Sequence, residues 1–141
     1  MMELIHHNHG NGRLTLDLVC RKKSLEEARS KVKRFAVSQG FSREEEDITL
    51  AVQEALKNIT QHAHPPDDNM HVECRVSGDR MVIEVSDNGR GFDVGRLEHN
   101  PPPLMAIHGR GIKIMKGLME GFSIASGREG TTVRMEKKRG K

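Results

Sequence analysis

Two amphipathic helices follow each other directly in the first half of the chain, and this succession limits the folds open to it. A capping-box pattern at Ser24-Leu-Glu-Glu begins the first helix, which ends near Gly40. The same pattern at Ser42-Arg-Glu-Glu begins a longer helix that runs to about Ala63 and is stopped by Pro65-Pro66. A simple alternation of strands and helices is therefore excluded.

Stretches in which apolar and polar residues alternate predict five strands around these helices. They cover residues 13–21, 70–77, 81–87, 122–126 and 132–137. The last four form two hairpins, and a third amphipathic helix with Ile112, Met115 and Met119 on its apolar side lies between the hairpins. This order predicts an α/β two-layer sandwich, with a mostly antiparallel sheet and three helices on one face.

The length of 141 residues predicts one domain that has room for one site. We place this domain at residues 13–138, after a flexible N-terminus at 1–12 and before a basic tail at 139–141. The chain has no Trp, no Tyr and four Phe, so it offers few surfaces on which bases could stack. A binder of single-stranded nucleic acid is therefore not expected, while composition alone leaves duplex binding open. Our expectation for the protein as a whole is no direct nucleic-acid partner.

The cysteines and the hydropathy pattern indicate where the protein works. Cys20 and Cys74 lack a metal-binding spacing and fall on the apolar side of predicted strands, which is typical of buried thiols in a reducing compartment. The chain has no apolar run of about 18 residues and no apolar signal-peptide core after Met1. We expect a cytoplasmic protein that does not enter a membrane.

Asp87 continues the apolar face of a predicted strand, which directs its carboxylate toward the helices. A buried carboxylate is costly unless it accepts hydrogen bonds. It could simply end the strand and cap the turn at Asn88-Gly89. However, Gly89 and Gly91 let the backbone approach a flat ligand closely, and an acceptor at the floor of such a pocket suits an exocyclic amine.

Glu54 and Asn58 are neighbours one turn apart on the second helix, beside its apolar stripe. Such pairs are commonly ordinary surface groups. Here Ala51 and Ala55 flank them and leave room for a ligand. A carboxylate next to an amide oxygen suits a general base beside a hard cation that prefers oxygen ligands.

A third pattern, His108-Gly-Arg-Gly-Ile, places glycines at the start of the third helix. Free backbone N–H groups and the helix dipole favour an anion at such a position. Arg110 and Lys113 add positive charge, although either could equally be solvated. The spacing excludes a P-loop.

Four motifs, taken together, resemble the N, G1, G2 and G3 boxes of the ATPase superfamily that includes DNA gyrase, histidine kinases and MutL. They are Glu54-Ala-Leu-Lys-Asn, Asp87-Asn-Gly-Arg-Gly-Phe-Asp, Gly109-Arg-Gly-Ile-Lys-Ile-Met and Gly130-Thr-Thr. The overall length and the Gly-Leu-Met-Glu after the third box most resemble bacterial anti-sigma-factor serine kinases of the RsbW type. Histidine kinases, gyrase and MutL need further domains for which this length leaves no room.

The resemblance implies a Bergerat-type nucleotide fold with ATP and Mg²⁺ as cofactors. Asp87 would accept a hydrogen bond from the adenine amino group, Asn58 would hold Mg²⁺, and Glu54 would act as the general base. The other nucleotide-binding residues that it implies are Gly89, Gly91, Gly109, Arg110, Gly111, Lys113 and Thr131. The segment after Asp93 would form a lid, with Arg96 as a further candidate for neutralising phosphate.

By the same resemblance, the protein is a bacterial serine/threonine kinase that phosphorylates a small anti-anti-sigma partner of the STAS type. It would also sequester a sigma factor or an analogous regulator, and would form a homodimer. The basic face of the first helix, with Arg29, Lys31, Lys33 and Arg34, is either a docking surface or a solvated one. Two alternatives stay open: a non-catalytic, ATP-gated binding module of the same fold, and a structural domain whose glycines coincide with the boxes by chance.

Overall fold

The computed structural model describes residues 4–10, 12–19, 22–60, 69–87, 106–127 and 130–140. Within these ranges the chain forms three α-helices and six β-strands. In chain order they are β1 (Leu4–Gly10), β2 (Arg13–Val19), α1 (Lys22–Ser38), α2 (Glu45–Asn58), β3 (Asn69–Ser77), β4 (Arg80–Asp87), α3 (Ala106–Leu118), β5 (Gly121–Gly127) and β6 (Gly130–Lys138).

The strands form one sheet in the order β1-β2-β3-β4-β6-β5, and every described pair is antiparallel. Alternate residues of the four inner strands are buried on the face that the helices cover, as the alternating pattern predicts. The prediction of a two-layer α/β sandwich with three helices is confirmed. Cys74 is part of this buried face, while Cys20 lies outside the described residues.

The prediction of a flexible segment over residues 1–12 is wrong for most of that segment. Leu4–Gly10 forms an edge strand, with His7 opposite Leu16 and Gly10 opposite Arg13. A sequence of His, Asn and Gly has no apolar alternation that would predict a strand. Pairing uses backbone groups, so the neighbouring β2 can recruit it regardless of its side chains.

Helix α1 ends as its glycine predicts. Gly40 has a positive φ of 86°, and the Phe41 N–H donates to the Ala36 carbonyl at 2.8 Å while the Gly40 N–H donates to the Val37 carbonyl at 3.2 Å. This is the Schellman arrangement, with Phe41 buried beneath the end of the helix.

The two predicted capping boxes do not set the helix starts. Helix α1 begins at Lys22, so Ser24 lies inside its first turn, and α2 begins at Glu45, with Glu44 rather than Ser42 as its N-cap. The Glu44 side chain makes no capping bond, because its carboxylate accepts the N–H of Gly140 at 3.2 Å. Three acidic residues in the first turn stabilise the start of α2 through the helix dipole.

The second helix is predicted to run to about Ala63, and residues 61–63 lie outside the described residues. Helix α2 ends at Asn58, and residues 59 and 60 continue it as a π-helical turn in which the Ile59 N–H contacts the carbonyls of both Ala55 and Leu56. The apolar stripe that predicted the helix is fully buried.

The first two residues of the basic tail at 139–141 are bonded to the rest of the fold. The N–H of Arg139 donates to the Asp79 carbonyl at 2.6 Å, and its guanidinium donates to the Gln39 carbonyl at 2.9 Å. Together with the bond from Gly140 to Glu44, these contacts fasten the end of the chain to the connection between α1 and α2. In the parts of the chain that the structure describes, no helix is both long and apolar enough to cross a membrane.

Candidate functional site

Helix α2 presents Glu54 and Asn58 to helix α3, and the backbone of α3 comes into contact with both side chains at Gly111. A Cβ built on Gly111 would lie 2.8 Å from Oε2 of Glu54 and 3.0 Å from Nδ2 of Asn58. Real Cβ atoms essentially never approach other atoms within 3.0 Å, so a side chain at this position would force the Glu54 carboxylate to move. The structure thus brings three of the predicted site residues together.

Asn58 is almost completely buried, with 2% of its surface exposed. Its Nδ2 donates to the Glu54 carbonyl at 2.9 Å, while its Oδ1 is buried and accepts no hydrogen bond from the described residues. A buried acceptor without a donor costs free energy unless something else satisfies it. An amide oxygen is a ligand that Mg²⁺ accepts, so Asn58 fits the metal-binding role that the resemblance implies.

Glu54 is partly buried beside Asn58. Its small neighbours Ala51 and Ala55 are fully buried under it. Among the described residues, no cluster of three or more His, Cys, Asp or Glu side chains could hold a metal ion. A cation at Asn58 would therefore take most of its ligands from water and phosphate oxygens, as Mg²⁺ does in nucleotide sites.

Asp87 and Thr131 lie at matching positions on the neighbouring strands β4 and β6. The last registered pair of these strands is Ser86 opposite Thr132, and Asp87 and Thr131 are the residues directly beyond that pair. The Oδ2 atom of Asp87 is buried, and Thr131 is 1% exposed. On the other side, Asp87 faces Met70 of β3. A carboxylate and a hydroxyl thus share one buried end of the sheet.

The glycines of the third motif do not lie where the sequence places them. Helix α3 already begins at Ala106, so Gly109 and Gly111 are its fourth and sixth residues rather than its start. Only the first four N–H groups of a helix lack intrahelical acceptors. Counted from the N-cap, these groups end at residue 108, so Gly109 and Gly111 both lie beyond them. Arg110 and Lys113 are exposed on α3.

Gly89, Gly91 and the predicted lid, with Arg96 and the prolines at 101–103, fall outside the described residues. The basic residues of α1 are described: Arg29, Lys33 and Arg34 are exposed and Lys31 is partly buried. A groove of about 660 Å³ between α1 and α2 carries Arg29 and Lys33, and also the acidic Glu26, Glu45 and Glu46. Its charge is therefore mixed.

Sequence reasoning missed the direct contact of Gly111 with Glu54. The signal was present, since a glycine inside an otherwise amphipathic helix usually marks a close approach of the backbone. Its partner could not be identified, because the packing of α3 on α2 brings together residues that are distant in the chain.

A model of the histidine kinase-like ATPase domain matches residues 18–137. The chain belongs to this family. Serine-protein kinase RsbW of Listeria monocytogenes is 30% identical over 136 residues, which cover 89% of this chain and 86% of the relative. RsbW of Bacillus subtilis is 33% identical over 113 residues, covering 72% of this chain and 70% of the relative. Anti-sigma F factor of Clostridium botulinum is 31% identical over 99 residues, covering 65% and 69%.

A solved structure supports the same fold. The structure of the RsbU and RsbW domains of a Mycobacterium tuberculosis protein superposes with a TM-score of 0.71 at 18% identity, over 93% of this chain and 33% of that one. The named relatives confirm the predicted family and the class of protein serine/threonine kinases.

Proposed function

We propose that this protein is a Mg-ATP-dependent serine/threonine kinase that phosphorylates a small anti-anti-sigma partner of the STAS type. It also sequesters a sigma factor or an analogous regulator, so that phosphorylation of one partner controls capture of the other. The observation that carries the proposal is the buried Oδ1 of Asn58, which has no donor among the described residues and lies beside Glu54 where α2 meets α3.

The adenine end of the nucleotide binds at Asp87 and Thr131. The carboxylate of Asp87 accepts a hydrogen bond from the exocyclic amine, and the Thr131 hydroxyl shares the same buried end of β4 and β6. Because the chain offers few aromatic rings, hydrogen bonds and close backbone approach at Gly89 and Gly91 hold the base. A hydrogen bond to a charged group is worth about 1.5–3 kcal/mol.

The phosphates bind between α2 and α3. Asn58 Oδ1 ligates Mg²⁺, which neutralises phosphate charge when it is bound. Gly109 lies in the first turn of α3, near the positive end of its dipole, and Arg110 and Lys113 add positive charge to the same helix. Glu54 accepts the proton of the attacking serine or threonine hydroxyl. Positioning and charge neutralisation supply most of the catalysis in this type of reaction.

A transfer assay tests the catalytic assignment. The protein is incubated with Mg²⁺, labelled ATP and the STAS-type protein encoded beside it, and phosphoserine or phosphothreonine is measured. We expect Glu54→Ala to slow transfer by about 10²–10⁴-fold while Mg-ATP still binds in calorimetry. Gln53→Ala is the matched control, because Gln53 lies on the same turn but lines the groove toward α1. Undiminished transfer by Glu54→Ala would contradict the assignment.

Asp87→Asn tests the nucleotide site itself. We expect the affinity for Mg-ATP to fall by at least about tenfold, because one oxygen acceptor becomes a donor facing the adenine amine. Asp79→Asn, in the exposed turn of the same hairpin, is the control. If the wild type binds ATP without any transfer, the protein is the ATP-gated binding module. If the wild type gives no binding heat with Mg-ATP, the protein is neither a kinase nor an ATP-gated binding module.

The remaining parts of the proposal concern assembly and location. We propose that the protein works as a homodimer in the bacterial cytoplasm. Sedimentation velocity with and without Mg-ATP measures the assembly. A monomer at concentrations at which the sigma factor is captured would contradict the dimer.

A further inference from the structure

The carboxylate of Glu54 lies in a gap between α2 and α3, and this gap exists because residue 111 is a glycine with no side chain. Oε2 of Glu54 lies 2.8 Å from the place that a Cβ of residue 111 would occupy. The same place is 3.0 Å from Nδ2 of Asn58. Helix α3 therefore contacts both polar groups of α2 through the bare backbone of Gly111.

The two neighbours differ in their freedom to move. The Asn58 side chain is buried, and its Nδ2 is tied to the Glu54 carbonyl at 2.9 Å. The Glu54 carboxylate is the end of a long side chain with rotatable bonds and is only partly buried. A methyl group at position 111 would therefore displace the carboxylate first, at little cost to the fold.

The position of Gly111 along α3 separates this role from phosphate binding. As the sixth residue of the helix, Gly111 lies beyond the four N–H groups that are free to bind an anion. The backbone N–H of Gly111 is therefore not one of the groups that could bind phosphate.

We infer that Gly111 is a positioning residue, which fixes the Glu54 carboxylate by leaving room for it between α2 and α3. This inference rests on the proposed function where it concerns phosphoryl transfer. It also applies to the nucleotide-free protein, in which the packing of α3 on α2 fixes the orientation of the Glu54 carboxylate.

The matched control is on the same helix. Gly117 also lies in α3, and a Cβ built on it would meet nothing within 4 Å. Alanine favours a helix over glycine at both positions. Gly111→Ala and Gly117→Ala therefore share the gain in helix propensity, and only the first introduces a methyl group beside Glu54 and Asn58.

In the transfer assay, we expect Gly111→Ala to lower kcat by at least about tenfold and to change the dissociation constant of Mg-ATP by less than about threefold. Gly117→Ala should change neither value and should not lower the Tm. A loss of ATP affinity in Gly111→Ala with unchanged kcat would overturn the inference in favour of a phosphate contact.

A shorter acidic side chain at position 54 tests whether the loss of activity in Gly111→Ala comes from steric contact with the carboxylate. Glu54→Asp withdraws the carboxylate by one methylene, so adding Gly111→Ala to Glu54→Asp should cost little more than Glu54→Asp alone. Such non-additivity marks direct contact between the two positions. A full, additive loss in the double variant would overturn the inference.

A readout without nucleotide keeps this test separate from the kinase proposal. The side-chain amide resonances of Asn58 in the nucleotide-free protein should shift in Gly111→Ala and stay in place in Gly117→Ala. If the wild type fails to phosphorylate its partner but these resonances shift, the kinase proposal fails and the positioning role of Gly111 is supported. Unshifted Asn58 resonances in Gly111→Ala would overturn the positioning role of Gly111, whatever the activity of the variant.

Discussion

The guanidinium of Arg139 lies over the ring of Phe41, with its Cζ atom 4.6 Å from the ring centroid. The same guanidinium donates to the carbonyl of Gln39 at 2.9 Å, beside the positive-φ residue Gly40. The last residues of the chain thus cover the point at which α1 ends and the connection to α2 begins. This contact joins the C-terminus to the helical layer.

Removal of this contact should destabilise the fold. We expect Arg139→Ala to lower the free energy of unfolding by about 1–2 kcal/mol, because it removes a cation–π contact and a charged hydrogen bond to a helix-end carbonyl. Urea unfolding measures the change. Arg29→Ala, on the exposed face of α1, should change the value by less than about 0.5 kcal/mol. Equal effects of the two substitutions would contradict a specific role of Arg139.

Lys137 should be the more important of the two adjacent lysines at the end of β6. Its side chain is 11% exposed, and its Nζ donates to the Leu118 carbonyl at 2.5 Å and to Oδ2 of Asp47 at 3.2 Å. It therefore caps the C-terminus of α3 and ties it to the start of α2. We expect Lys137→Met to cost about 1.5–3 kcal/mol of unfolding free energy.

Lys138→Met is the control for that experiment. The Lys138 side chain is 55% exposed and its Nζ is 4.0 Å from the equally exposed Asp79 carboxylate. Exposed pairs of this kind contribute at most about 1 kcal/mol. The prediction fails if the two lysine variants unfold at the same urea concentration.

Gly40 should not tolerate a side chain. Its φ of 86° is a conformation that L residues adopt at a cost of about 1–2 kcal/mol. We expect Gly40→Ala to lower the free energy of unfolding by that amount. Gly117→Ala, in an open position within α3, should instead raise it by up to about 1 kcal/mol. Chemical denaturation of both variants measures the two signs, and a gain in Gly40→Ala would show that the turn can relax.

Cys74 makes stability depend on alkaline pH. Burial, with a further contribution from the charge of Glu73, raises the pKa of the Cys74 thiol from 9.0 to about 12. The folded state therefore holds the proton more tightly than the unfolded state. The contribution to stability is complete below pH 9.0 and is lost as the pH rises toward 12.

The measurement is the free energy of unfolding from pH 8 to pH 11, in a Cys20→Ser background so that Cys74 is the one thiol. We expect stability to fall above about pH 9, and Cys74→Val to show a smaller slope. The folded protein should also react slowly with thiol reagents, since the thiolate is the reactive form. Rapid labelling under native conditions would contradict the raised pKa.

Periodicity predicted most of the architecture because the core is a repeated local pattern. The alternation in β3 and β4 and the stripe of α2 each identify residues that the structure buries completely. Gly40 and the Gly78-Asp79 turn were equally readable, because they meet a local requirement of the backbone. A few neighbouring residues are enough to determine features of this kind.

Three features were not predictable from local patterns. Strand β1 has no alternation and exists through its pairing with β2. Glu44 replaces Ser42 as the N-cap, and its carboxylate binds Gly140 at the other end of the chain. Lys137 continues the buried face of Val133 and Met135, where a lysine is unexpected until its partners at Leu118 and Asp47 are known.

The sequence by itself determined which residue types stand at the site: an acid and an amide one helical turn apart, an acid at the end of a strand, and two closely spaced glycines near the third helix. Those spacings are local, and the resemblance to a nucleotide-binding family rests on them. Only the tertiary structure decided that Gly111 lies against Glu54 and Asn58 and that Asp87 lies level with Thr131. Contacts between elements depend on the packing of a complete core, and no single segment encodes that packing.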